Sequence, residues 1–155
     1  MSADTTMTNP PHAAASTSHI DPAIFTSLQS KIDEESLVRD ELKSIVETLS
    51  KQGRVTQATL SRIHNTTTSS LADTVLKPCS DTISEQAQTI KKLSETASKY
   101  PFYKWNSVWQ RETQALLSSI QLCEWLGDGK LITLEEVGEK LDGVSIFLLQ
   151  PHGVC

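Results

Sequence analysis

Several features that would point directly to a function are missing from this sequence. No apolar run approaches the roughly 20 residues that cross a bilayer. The first basic side chain is Lys31, which argues against a positively charged signal-peptide segment or an Arg-rich transit peptide. The chain is therefore expected in the cytoplasm and the nucleus, with no membrane partner. Its three cysteines, Cys79, Cys123 and Cys155, are odd in number and widely spaced, which suits neither a disulfide framework nor a zinc site. Free thiols in a reducing compartment are expected. The four histidines, His12, His19, His64 and His152, include no pair at metal-ligand spacing. Only His64 falls in a predicted element or at its end, so no Ser-His-Asp or Cys-His constellation can be assembled. Neither metal nor cofactor nor catalytic residue is expected, and the chain is not read as an enzyme on its own. A general excess of positive charge is missing too. The 14 Lys and Arg residues stand against 19 Asp and Glu, a net charge of -5 over 155 residues, so any nucleic-acid binding must come from a local patch.

Strand signals are absent apart from a short apolar run after Gly143, and helical periodicity fills their place. Residues 1–19 are rich in Ser, Thr, Ala and Pro. They hold too few large apolar side chains to offset the entropy of ordering and are expected to form a disordered leader. Asp21-Pro22 then supplies a helix N-cap and a proline where its missing N–H does no harm. Ile24, Leu28 and Ile32, then Val38, Leu42, Ile45 and Leu49, then Leu60 and Ile63 recur at helical spacing. This predicts one helix of about 40 residues, or two collinear pieces hinged near Gly53. The polar run 65–70 is expected to be a loop that reverses the chain. Cys79, Ile83, Ala87, Ile90, Leu93 and Ala97 mark a second helix, which Pro78 opens or kinks. Pro101 restarts a third, with Trp105, Trp109, Leu116, Ile120 and Cys123 on one face and Gly127-Asp128-Gly129 as its stop. Thr133-Leu134-Glu135-Glu136 is a capping box for a short fourth helix closed by Gly143. The fold class that follows is all-α, a bundle of long antiparallel helices with short connections.

The densest chemistry is Lys99-Tyr100-Pro101-Phe102-Tyr103-Lys104-Trp105, continuing through Trp109 to Arg111. Aromatic faces stack on unpaired bases and neighbouring cations hold phosphates, so this mixture suits a single-strand binder. Trp105 and Trp109, four apart on the apolar face, read as core instead. Lys104, Ser107, Arg111, Gln114, Ser118 and Gln121 form a polar stripe whose default role is a solvated face. Between Lys77 and Arg111 there are six basic and three acidic residues, the right sign for nucleic acid at a modest magnitude. Gly127-Asp128-Gly129-Lys130 lacks the spacing of a phosphate loop and reads as a helix stop. Glu135 and Glu136 lie in a first helical turn, where the dipole favours negative charge, rather than forming a catalytic pair.

From Ile24 to Val144 the order of these features resembles the translin family. The likeness is carried by Val38-Arg39-Asp40-Glu41-Leu42-Lys43-Ser44-Ile45-Val46, by Ile63-His64, by Lys99-Tyr100-Pro101, and by Leu131-Ile132-Thr133-Leu134-Glu135-Glu136-Val137. The resemblance implies long packed helices, assembly into a hollow octamer-like shell, and single-stranded DNA or RNA held by basic segments facing inward. It also implies a related partner subunit whose acidic residues supply RNA cleavage. Two of those glutamates lie on the third helix, and the matching positions here are Ala115 and Ser118, so the chain looks like the binding subunit. A phosphodiesterase would need carboxylates there to hold Mg²⁺. One family basic segment falls on 77–82, where only Lys77 is basic. The other falls on 103–111, where only Lys104 and Arg111 are.

The organisation expected is a leader at 1–19, a partial translin-like helical domain at 20–144, and an atypical tail at 145–155. Family members continue with further helices, so the tail is expected to come from a retained intron, a frameshift or an incomplete gene model. The function expected is single-stranded DNA or RNA binding, sequence-specific DNA binding included, within a homo-oligomer or with the partner subunit. Lys104, Arg111, Tyr103, Lys99 and Lys77 are the contact residues, and the role is RNA processing or DNA-end recognition. The alternative is a structural helical-bundle or coiled-coil adaptor whose aromatic cluster is only core.

Overall fold

The computed structural model of the chain describes residues 21–141 and Gly143. The expected leader, the apolar run after Gly143, the tail and Cys155 lie outside the described residues. The chain divides into two compact units, one ending at Glu34 and the other starting at Glu35.

Helix α1, Pro22–Leu60, is a single helix of 39 residues. Asp21 caps it as the sequence predicts, its Oδ1 accepting the Ala23 N–H at 3.0 Å. The helix passes through Gly53 without a break. In the first unit, every residue from Pro22 to Glu34 is exposed, including Ile24, Phe25, Leu28 and Ile32. The leading part of the predicted apolar stripe is therefore helical but not core. In the second unit the same periodicity does bury Leu42, Ile45, Val46 and Leu49.

The polar run 65–70, expected as a loop, is built largely from short turns. Short 3-10 turns occupy Ser61–Asn65 and Thr68–Ser70, because Ser and Thr hydroxyls bond locally and stabilise turns. The Thr67 and Ser70 hydroxyls, for example, lie 2.8 Å apart. A π-helical turn, Ala72–Leu76, then leads into helix α2, Lys77–Ala97, with Pro78 in its first turn. A proline in a continuous α-helix clashes with the carbonyl four residues back and withholds a donor. Widening the preceding turn, with the Lys77 N–H bonded to the Ala72 carbonyl, lets the chain enter α2 without that conflict.

Helix α3, Phe102–Asp128, starts after Pro101 and ends at Gly129, which is left-handed at φ 68° and donates its N–H to the Trp125 carbonyl at 2.9 Å. Helix α4, Leu134–Lys140, carries the predicted capping box: Thr133 Oγ1 accepts from the Glu136 N–H at 3.3 Å, and Glu136 Oε2 accepts from the Thr133 N–H at 2.6 Å. Gly143, at φ 72°, donates to the Gly138 carbonyl. An ion pair from Lys140 to Glu124 ties α4 to α3. Among the described residues no strand occurs, so the all-α class stands.

Helix α2 runs antiparallel to the second-unit part of α1 and to α3. Thr56 of α1 donates to Gln86 of α2 at 2.9 Å across a buried contact, and Cys79 at the start of α2 meets Cys123 near the end of α3. One core joins Leu42, Ile45, Val46 and Leu49 to Ile90 and Leu93, to Trp105, Trp109, Leu116 and Ile120, and to Val137 and Leu141 of α4. A smaller cluster of Leu60, Val75 and Cys79 lies under the π turn. The expectation of free thiols is corrected for two cysteines: Cys79 and Cys123 form a disulfide across 44 residues of sequence. Wide spacing along the chain says nothing about neighbours across two antiparallel helices.

Candidate nucleic-acid interface

Helix α3 separates its two faces cleanly. Trp105 and Trp109 are 4% and 1% exposed, and the Trp109 ring tilts against Phe102 with centroids 5.9 Å apart. They are core, as their spacing predicts. Lys104, Ser107, Arg111, Gln114, Ser118 and Gln121 are all exposed and contain no carboxylate. Tyr103, in the first turn of α3, is 82% exposed, so its ring is open for contact.

The candidate cations differ in how free they are. Lys104 forms an ion pair with Glu35 and sits over the Trp105 ring, 5.6 Å from its centroid. Arg39 of α1 reaches the same ring at 5.7 Å, so this indole collects two cations. Sequence reading did not single out Arg39, because only the packing of α1 beside α3 brings it there. Lys99, in the connection before α3, and Arg111 are exposed, and among the described residues neither forms an ion pair. Lys77 bonds Asp73 at 2.5 Å. That hydrogen bond, with the attraction between the charges, raises the lysine pKa and lowers that of Asp73. Helix α2 rises about 30 Å from Lys77 to Ala97, with Lys99 beyond its far end, so Lys77 does not join the others.

Beyond Gln121 the polar stripe continues, at the next interval of four, to Trp125, which is 54% exposed. The indole helps to line a groove of about 570 Å³ between the end of α1, the 3-10 turn that follows it and the second half of α3. Leu60, Ile63, Leu122 and Leu126 give it apolar walls, and Gln57 and His64 lie among them. The helical interval was visible in the sequence, but exposure at its end was not. Ala115 and Ser118 also line this groove. Among the described residues, no group of three His, Cys, Asp or Glu side chains could hold a metal ion. No helix among them is long and apolar enough to cross a membrane.

Such an arrangement defines a helical-bundle protein whose third helix turns an uncharged-to-basic face outward. Among known families, the Translin family matches residues 37–152. The match covers most of the chain, takes in residues 145–152 of the segment set apart above as a tail, and places the chain in the translin family.

Proposed function

We propose that the chain binds single-stranded DNA or RNA as a subunit of an oligomer, either of its own copies or with a related partner subunit. The role is RNA processing or DNA-end recognition in the cytoplasm and the nucleus, where the reducing poise holds the Cys79–Cys123 bond open to reduction. The observation that carries this reading is the exposed, carboxylate-free stripe of α3 from Lys104 to Gln121 in a chain whose net charge is -5. Membership of the translin family supports it. Arg111, exposed and outside any ion pair among the described residues, is the principal phosphate contact. Lys104 is the second, its charge shared with Glu35. Tyr103 offers a ring for stacking, Lys99 adds charge beside it, and Lys77 contributes least. The chain supplies no catalytic group of its own, and RNA cleavage belongs to the partner. Ala115 and Ser118, at the positions where the partner carries glutamates, support this division.

The adaptor reading is favoured by a different observation, the exposed apolar residues Ile24, Phe25, Leu28 and Ile32 of the first unit, which suit a partner helix.

The two readings separate by salt dependence. Fluorescence anisotropy of a labelled single-stranded oligonucleotide is measured against the full chain at 50 mM and 200 mM salt, because phosphate contacts release counterions and helix packing does not. The expected result is salt-weakened binding, with Arg111→Ala losing more affinity than Lys104→Ala and lowering the salt slope by about one. No binding by a folded sample, or binding indifferent to salt and to both substitutions, overturns the proposal in favour of the adaptor.

A further inference from the structure

We propose that Cys79 and Cys123 form a reversible thiol–disulfide couple that exchanges with small peptide thiols of the glutathione class, Cys123 being the sulfur that the incoming thiol reaches. This goes beyond the nucleic-acid reading and stands or falls without it. The two half-cystines differ in access. Cys79 is 0% exposed and packs with Leu60 and Val75 in the smaller apolar cluster. Cys123 is partly exposed and lines a cleft of about 440 Å³ bounded by the start of α2, the end of α3 and Lys140 of α4, a cleft that Cys79 does not line. Exchange requires a thiolate to reach one sulfur of the bond, so access selects Cys123 as the sulfur attacked.

The cleft is polar and charged, which suits a small peptide thiol. Ser80, Ser84, Glu124, Asp128 and Lys140 line it, and its volume lies in the range of small-ligand sites. Glutathione carries carboxylates and an ammonium, against which Lys140 and Asp128 set charges of both signs. Reduction takes two steps. A glutathione thiolate attacks the Cys123 Sγ and forms a mixed disulfide there, and the electron pair of the broken Cys79–Cys123 bond leaves on the Cys79 Sγ, which takes up a proton. A second glutathione thiolate attacks the glutathione sulfur of that mixed disulfide, releasing oxidised glutathione and the Cys123 thiolate, which is protonated in turn. Two glutathione molecules are oxidised and the protein gains two electrons and the two protons that their thiols gave up. Oxidation is the reverse: the Cys123 thiolate attacks oxidised glutathione, and the neighbouring Cys79 thiol displaces the adduct. Because α2 and α3 hold the two sulfurs together, that last step is intramolecular and the mixed disulfide is short-lived.

The test uses the full chain with Cys155→Ser, which removes the remaining thiol, in buffers of reduced and oxidised glutathione. Acid quenching and peptide mass mapping locate each adduct. In this background the pair is expected to convert fully between dithiol and disulfide with little adduct at either cysteine. Adding Cys79→Ser removes the resolving thiol, and the glutathione adduct is expected to accumulate on Cys123. Adding Cys123→Ser leaves only buried Cys79, whose adduct is expected to form more than about tenfold more slowly. Circular dichroism melts monitor the fold, and Cys123→Ala replaces Cys123→Ser if the serine variant does not fold. In urea, where burial is lost, both single-thiol chains are expected to react at similar rates. Equal rates in the folded state, or a faster adduct on Cys79, overturn the assignment of Cys123. A pair that stays reduced in oxidised glutathione, or a folded Cys79→Ser chain that takes no adduct, overturns the couple itself.

Discussion

Lys104 shows how a residue can be well placed and still partly spoken for. Its ammonium balances Glu35 and lies over the Trp105 ring, which Arg39 approaches as well. The ion pair is about two-fifths exposed on both sides, and pairs of this kind contribute little to stability because solvent screens them. Their larger effect is on the local field. Glu35→Gln is expected to tighten oligonucleotide binding several-fold at low salt without shifting the melting temperature, because it removes a negative charge beside the proposed track. Anisotropy and a thermal melt read the two effects. Unchanged or weaker binding would mean that Glu35 holds Lys104 in its binding position. Arg111 shows the opposite case, an exposed cation with nothing acidic on its stripe, and the pattern of three and four identifies it from sequence alone.

At the scale of elements, the termini were well specified by local chemistry. Asp21, Pro101, Gly129 and the Thr133 to Glu136 capping box each act where short-range rules place them. Those rules could not say which stretch of a helix is buried. Residues 22–34 keep helical spacing with every side chain exposed, so local interactions and continuity with the rest of α1, rather than burial, support their helicity. Asp21→Ala is therefore expected to fray the first turns of α1, at a local cost of about 1 kcal/mol, with little change in the global melt. Hydrogen exchange at amides 23–34 would speed up while those of 42–49 stay protected. Faster exchange throughout α1 would show that the cap supports the whole helix. The π turn before Pro78 is a second case. The proline was plain in the sequence, but its accommodation by a widened turn over Val75, which is 0% exposed, needed the neighbouring helices.

For the whole molecule, antiparallel packing of α2 on α3 brings together groups far apart in sequence. The Cys79–Cys123 disulfide closes a loop of 44 residues. Chain entropy predicts up to about 4 kcal/mol of stabilisation from a loop of that size. The oxidised protein is expected to melt several degrees lower after reduction, and Cys123→Ser to melt at the reduced temperature with or without reductant. A wild-type melt indifferent to reductant would sink this assignment. The same packing aligns Thr56 with Gln86, a buried polar pair at 2.9 Å that no periodicity announced, because both look like solvent-facing residues on their own helices.

Much of this protein was determined by sequence alone. Spacing of apolar residues at three and four, caps at Asp21 and Thr133, and stops at Gly129 and Gly143 specify an all-α chain, since helix formation and capping act over a few residues. The polar stripe of α3 and the burial of Trp105 and Trp109 follow from the same short-range geometry. What only the tertiary structure decided are relations between helices: Glu35 and Arg39 beside the start of α3, the disulfide, and the groove at Trp125. These depend on which faces meet across the bundle, and a pattern along one helix cannot encode the distance to another.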